Sequence, residues 1–378
     1  MPKKPRILIL TAAFGEGHNS AARNLSLALA DIGAETRVAD PCVLSAPNST
    51  ALIQWGYRLV TTHFPRIWEA VYRGTDKCDF SRPGLPLMRA PESYLQTLVS
   101  EYQPDAIVST YPVYPYFLER NFRETGNRLP VFTVVTDSIE INASWLRTPT
   151  DHFLVTDRTT LETMRCWGIH EEKIIDTGFP VNPAFSGLAP VPAEDSCSPF
   201  RILYFPTAKK PFVRRHSRAL LEASPDVHLT IVMGKNFRLL QSRAREIKAA
   251  YPGRVRLLGW TRKVPQLLNR HHMVIGKAGG ATVHEAIAAR CPMLIHHLVP
   301  GQEEGNLRLL QQLGAGDLAE HPRELTEAVA QILAHGARKW RTMKAALASH
   351  NRNDGALTAA RFILSSINDR GLGMEDRG

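Results

Sequence analysis

Short apolar, β-branched runs recur along this chain with helix-length stretches between them: RILILTA, ETRVAD, DAIVST, PVFTVVT, HFLVT and KIIDTG, then RILYFPT, VHLTIVMG, VRLLGW, MVIGKAG and PMLIHH. Strands of that kind, buried on both faces and alternating with helices, build βαβ units around parallel sheets, so the expected fold class is α/β. The series is interrupted at FSGLAPVPAEDSCSPF, Phe185 to Phe200, where proline, glycine and serine dominate and no apolar period survives. A fresh strand starts directly after it. The expected division is therefore an N-terminal domain over 1–186, a linker over 187–199 and a C-terminal domain over 200–378, with the last helix a candidate to return to the first domain. At 378 residues the chain exceeds what one core ordinarily organises, which supports two Rossmann-like halves.

Charge narrows the partners. The chain has 46 Lys and Arg against 36 Asp and Glu, a net +10, which suits nucleic acid, anionic lipid or phosphorylated small molecules. No basic stripe or nucleic-acid motif accompanies it, so nucleic acid is not expected as a partner. Cys42, Cys78, Cys166, Cys197 and Cys291 lie far apart with no CxxC pair, which suggests neither a disulfide framework nor a zinc site and fits a reducing cytoplasm. The start MPKKPRILILTAAFG has the basic head and apolar run of a signal peptide, but from Arg6 onward the chain reads as strand, loop and helix. No apolar run of about 18 residues is present to span a membrane.

One segment departs from the alternation, Ala51 to Lys77. It interleaves Trp55, Tyr57, Phe64, Trp68 and Tyr72 with Arg58, Arg66, Arg73 and Lys77. Amphipathic aromatics with basic neighbours suit a membrane interface; a pair of core-packing helices around Pro65 is the other reading.

Two stretches carry chemistry. In LTAAFGEGHNSAARNL a strand runs into Gly15 and Gly17, and a helix comes next. Glycines there let backbone approach a ligand, and the helix start offers free N–H groups. A dinucleotide fingerprint would need glycine where Ser20 stands, and no P-loop is present. His18 at the helix entrance is held neutral by the dipole and by burial, leaving an imidazole able to accept a proton; it also reads simply as a polar residue at a helix start. In VIGKAGGATVHEAIAARCPMLIHHLVPGQEEGN, Gly279 and Gly280 open a loop and a helix is expected near Thr282. Glu285 then reads either as the partner of Thr282 in a capping box or as an acceptor for ribose hydroxyls. The loop after the next strand groups Gln302, Glu303, Glu304 and Asn306, donors and acceptors suited to a sugar, or to solvent alone.

Taken in order, GEGHNSAA, PDAIVSTYP, VVTD with Trp145, DTGFPVNPAF and GKAGGATVHEA with PGQEEGN resemble the monogalactosyldiacylglycerol synthase and processive diacylglycerol glucosyltransferase family, relatives of the lipid II N-acetylglucosaminyltransferase. The resemblance implies an inverting GT-B glycosyltransferase, two Rossmann-like domains facing across a cleft, with a UDP-sugar donor on the C-terminal domain and a lipid acceptor such as diacylglycerol on the N-terminal one. It implies His18 as general base with Asp137 as a candidate partner, and Gly15, Gly17 and Asn142 toward the acceptor, where the membrane-interface reading of Ala51 to Lys77 adds Trp55 and Trp68. For the donor it implies Gly279 and Gly280 at the diphosphate, Glu285 at the ribose, Gln302 and Glu303 at the sugar, and Gly259 and Trp260 at the uracil; charge and position add Lys277 at the diphosphate, Asn306 at the sugar, and Thr282 to the donor residues. No Asp-x-Asp occurs, so no metal is expected, and the expected location is cytoplasmic, on the anionic inner face of the cell membrane.

Two features depart from the family. YFPTAKKPFVRRHSR stands where relatives have a glycine-rich loop; Pro206 and Pro211 remove N–H donors, and Lys209, Lys210, Arg214 and Arg215 read either as side-chain charge in its place or as a solvated basic loop. Asn142 stands where relatives usually carry a histidine. The missing glycine loop keeps open a UDP-sugar-binding homologue without turnover; a nucleotide-sugar epimerase shares the double Rossmann arrangement, but the segment from Trp55 to Tyr72 argues against it.

Overall fold

The structure, a computed structural model, describes residues 4–13, 15–75 and 88–375. The chain divides into two compact units: 1–183 with 299–305 and 354–378, and 184–298 with 306–353. Lys77 and Cys78 lie outside the described residues.

In the first unit the order is β1 (Arg6–Leu10), α1 (Glu16–Asp31), β2 (Glu35–Ala39), α2 (Pro41–Ser45), α3 (Pro47–His63), α4 (Pro65–Thr75), α5 (Arg89–Tyr102), β3 (Ala106–Ser109), α6 (Tyr114–Thr125), β4 (Val131–Val134), α7 (Ala143–Leu146), β5 (His152–Val155), α8 (Arg158–Cys166) and β6 (Ile174–Asp176). The six strands form one parallel sheet in the order β2-β1-β3-β4-β5-β6. Every residue of β3 and β4 is buried, which is why those runs carry no polar alternation. At the edge, β2 exposes Glu35 and Arg37, side chains that discourage pairing with another strand. Leu8, Leu10, Ile107, Tyr114 and Phe117 share the main core, and Val135, Trp145 and Phe153 a second one.

In the second unit β7 (Phe200–Tyr204), α9 (Lys210–Glu222), β8 (Val227–Val232), α10 (Phe237–Ala250), β9 (Val255–Leu258), α11 (Val264–Leu268), β10 (Met273–Lys277), α12 (Gly280–Ala288), β11 (Met293–His297), α13 (Glu304–Gln312), β12 (Gly316–Leu318) and α14 (Pro322–His350) succeed one another. Their parallel sheet runs β12-β11-β10-β7-β8-β9. Trp340 from α14 is fully buried in its core with Phe200, Tyr204 and Leu220. The stretch expected as the linker packs on the second unit. Val191 and Cys197 enter this core, and Asp195 accepts a bond from His272 Nε2 at 2.9 Å.

The last helix, α15 (Gly355–Glu375), counts with the first unit. Phe362 sets its ring edge-on to His152 at 5.1 Å, and a Cβ at Gly355 would run into the Phe179 carbonyl. Glycine is needed there for the helix start to lie that close to the backbone.

Candidate active site

Sheet order locates the ligand sites before any side chain is considered. In the first unit the chain passes from β1 outward to β2 and then back across to β3, so the crossovers diverge between β1 and β3. Open α/β sheets bind ligands at the carboxyl ends of strands at such a point. His18 comes after β1, Tyr111 after β3, and Thr136 and Asp137 after β4. His18, Tyr111 and Asp137 line one cavity of about 480 Å³, closed by Tyr57, Trp68 and Tyr72 from α3 and α4 and by Trp145 from α7.

His18 sits in the first turn of α1, whose N-cap Gly15 makes no side-chain cap bond. Its Nδ1 lies 3.1 Å from Thr136 Oγ1, the donor depending on the tautomer. Its ring meets Tyr111 edge-on at 5.4 Å and Trp145 at 6.0 Å. Burial is the main cause that pulls its pKa down to about 4, against a hydrogen bond with the Thr110 backbone that raises it. The imidazole is therefore neutral at pH 7.

Asp137 moves the other way. Burial pushes its pKa up to about 6; Trp145 and Tyr72 work against that by hydrogen bonding, and the negative charge of Glu303 adds to it. Trp145 Nε1–H donates to Asp137 Oδ2 at 2.9 Å, so Trp145 touches both titratable groups.

Asn142 lines the same cavity, but its amide is occupied structurally. Oδ1 caps α7 by accepting from Ser144 N at 2.9 Å, and Nδ2 donates to Tyr72 O and to Thr75 Oγ1. With both ends of the amide engaged, it ties the end of α4 to the site rather than reaching for a ligand. Trp68 lies in the wall, edge-on to Tyr57 at 4.8 Å; Trp55 does not line the cavity and is 61% exposed. Gly15 and Gly17 have open space where a Cβ would go, so close backbone packing does not demand glycine at either.

Gln302 and Glu303, expected at the donor's sugar hydroxyls, belong to the first unit. Gln302 reaches this cavity and accepts a bond from Tyr57 OH at 3.0 Å, while Glu303 is buried and accepts from Val299 N. Gly305 shows why the segment sits there: any Cβ would collide with the Ser138 carbonyl, so only glycine allows that approach.

In the second unit the corresponding point falls between β7 and β10. Lys277 ends β10, Gly279 is the N-cap of α12 and Gly280 its first residue. The expected capping box is absent, because the glycine pair starts the helix two residues early, which puts Thr282 inside its first turn. Glu285 lies within α12, half-buried. Asn306 is buried and donates to Ala278 O at 3.0 Å, steadying the glycine loop. Gly259 and Trp260 line a separate open depression with Lys235, Phe237 and Arg238. Of the four basic residues in the loop that lacks glycine, Lys209 is half-buried, while Lys210, Arg214 and Arg215 are exposed. His297, the register partner of Lys277, is pushed down to about 4 by burial and then by the charges of Lys209 and Lys277. His216 and His296 add buried rings 5.0 Å apart. PMLIHH reads as a strand, and nothing in that string marks its two histidines as part of a cluster. The Asp137–Trp145 bond is equally invisible there, although both residues stand in the motifs.

The sequence profile described as monogalactosyldiacylglycerol (MGDG) synthase matches residues 18–181. Processive diacylglycerol β-glucosyltransferase of Bacillus licheniformis is 28% identical over 341 residues, 88% of each chain, and that of Bacillus subtilis 27% over the same length and shares. Among solved structures, MurG of Acinetobacter baumannii aligns with a TM-score of 0.61 at 14% identity, over 96% of this chain and 100% of that one. MnaA of S. aureus, in a co-structure with UDP, gives 0.61 at 14%, over 96% and 97%. The two parallel six-stranded sheets are those of the GT-B fold, and in sequence the chain is similar to the MGDG synthases and the processive diacylglycerol glucosyltransferases.

Proposed function

We propose that the chain is a hexosyltransferase that moves a sugar from a UDP-sugar, with inversion, onto the hydroxyl of a diacylglycerol-type lipid at the inner face of an anionic membrane. The observation that carries this reading is the cavity itself. It is apolar and aromatic along α3 and α4, with a neutral imidazole and a carboxylate in its wall. Such a space accepts a greasy acceptor and presents its hydroxyl to a base.

In the reaction His18 takes the hydroxyl proton as the acceptor oxygen bonds to the anomeric carbon and the bond to the diphosphate oxygen breaks. Asp137, ionised above pH 6, stabilises the imidazolium that forms. The leaving UDP gathers negative charge, which Lys277, Lys209 and the N–H groups opening α12 offset without a metal ion. Glu285 holds the ribose hydroxyls.

The test is His18→Ala assayed for UDP release with diacylglycerol present. Turnover should fall by about 10²–10⁴-fold while UDP affinity is kept. Unchanged turnover would remove His18 from the mechanism. Glu285→Ala should act oppositely, weakening UDP binding by about 1 kcal/mol or more at constant fold stability.

A further inference from the structure

The second unit carries a cavity of about 470 Å³ at the opposite edge of its sheet from Lys277 and Gly279. Arg201 is the second residue of β7, His228 the second of β8 and Val255 the first of β9, so these lining residues mark the amino ends of three parallel strands. Strands of four to six residues put that edge on the order of 15 Å from the carboxyl ends. The cavity thus stands apart from the donor residues of the proposed reaction.

Its lining is one-signed. Arg201, Arg254, Arg256, Lys263 and Arg270 face it, and no Asp or Glu is among the lining residues described. Five cations here compare with a net charge of +10 for the whole chain. Arg201 has one carboxylate neighbour, Asp195 at 3.5 Å, and Arg254 gives its donors to the carbonyls of Leu221, Ser224 and Val227. Arg256, Lys263 and Arg270 are exposed and have no ion-pair partner among the described residues. Nothing in the folding of the unit calls for three like charges at one cavity mouth, where their repulsion costs stability. Gln266 in the wall has a buried amide oxygen without a partner among the described residues, and turning the amide over would offer its two N–H donors instead. His271, on the cavity floor, is held down to about 4 by burial and then by the charges of Arg201 and Arg256 among others, consistent with a positive potential inside.

We propose that this cavity is a second binding site, for a phosphate group, distinct from the nucleotide-sugar site. Guanidinium forks at its mouth match phosphate oxygens pairwise, and the ammonium of Lys263 adds a point charge. Both a free phosphate ester and a phospholipid headgroup carry that chemistry.

The experiment uses the full chain, titrated calorimetrically with inorganic phosphate in the presence of saturating UDP. Phosphate should still bind the wild type, and bind about tenfold or more weakly to a variant carrying Arg256→Ala and Lys263→Ala whose UDP affinity and melting temperature are unchanged. The pair Arg256→Lys with Lys263→Arg should retain binding. A second arm measures sedimentation with phosphatidylcholine vesicles with and without phosphatidic acid. If the alanine variant loses the increment due to phosphatidic acid, the group bound is a headgroup; if it keeps that increment and loses only inorganic phosphate, the ligand is a soluble ester. Equal binding of phosphate and of both vesicles by the variant and the wild type would overturn the proposal, as would displacement of all bound phosphate by UDP.

Discussion

Asp137 and His18 meet the same burial with opposite results, and this contrast governs how the site should respond to pH. Desolvation disfavours the charged form of each, so the carboxyl rises to about 6 and the imidazole falls to about 4. Between those values both groups are uncharged, the carboxyl holding its proton and the imidazole neutral, and above pH 6 the carboxylate is available to stabilise a proton arriving on His18. The proposed chemistry then predicts an acid limb in kcat near pH 6, set by Asp137. Asp137→Asn should lower kcat and abolish that limb; a limb that persists in the variant would show that another group sets it. The direction of the His18 shift is legible in the sequence from its place at a helix start, whereas that of Asp137 is not. The motif containing Asp137 is visible there, but its bond to Trp145 depends on where α7 lies, and the occupation of Asn142 depends on α4. Spacing along the chain encodes neither relation.

At the scale of elements, α3 and α4 present two apolar faces. Tyr57, Val60, Trp68 and Tyr72 line the cavity, Ile67 and Val71 line its rim and stay 57% and 51% exposed, and Leu52, Trp55 and Leu59 are exposed away from it. On α3, Leu52, Trp55 and Leu59 fall three and four residues apart, one stripe of a helix. Under the proposed function, an apolar stripe left in water beside the acceptor cavity would be the surface that meets the membrane. Replacing Leu52, Trp55 and Ile67 with Asp should abolish sedimentation with lipid vesicles while leaving UDP binding intact. Undiminished sedimentation would place the membrane contact elsewhere. Of the basic residues here, Arg73 is paired with Glu69 at 2.7 Å. The aromatic spacing makes this segment visible in the sequence. What it does not show is which aromatics face inward, because both stripes are apolar. The capping box at Thr282 fails for a related reason. Two signals for starting a helix overlap, and the glycine pair prevails.

Over the whole molecule, the order of strands and helices is readable from the apolar runs, because a parallel sheet buries both faces and leaves an unmistakable pattern. The membership of Val299–Gly305 in the first unit is hidden, since one loop in the second half of the chain gives no compositional sign of it. Histidine burial adds a consequence for the second unit. His271, His296 and His297 fall to about 4 and His216 to about 3, burial being the first cause in each. Unfolded, these groups take up protons near pH 6.5; folded, they do so only near 4 or below, so the unfolded state binds more protons between. Stability is full above pH 6.5 and is lost as pH falls through that window, by up to about 1.4 kcal/mol per pH unit for each histidine. Calorimetry at about pH 7 and about pH 5 should show a clear drop in melting temperature at the lower pH; an equal or higher value would contradict the burial argument. Transfer to a lipid is the central claim, and the direct measurement is to incubate the protein with a panel of UDP-hexoses and diacylglycerol in mixed micelles, then weigh and characterise the lipid product. The expected product is a diacylglycerol heavier by one or more hexoses, joined with the anomeric configuration opposite to that of the donor. Recovery of unmodified diacylglycerol with every donor, from protein that binds UDP, would contradict that claim.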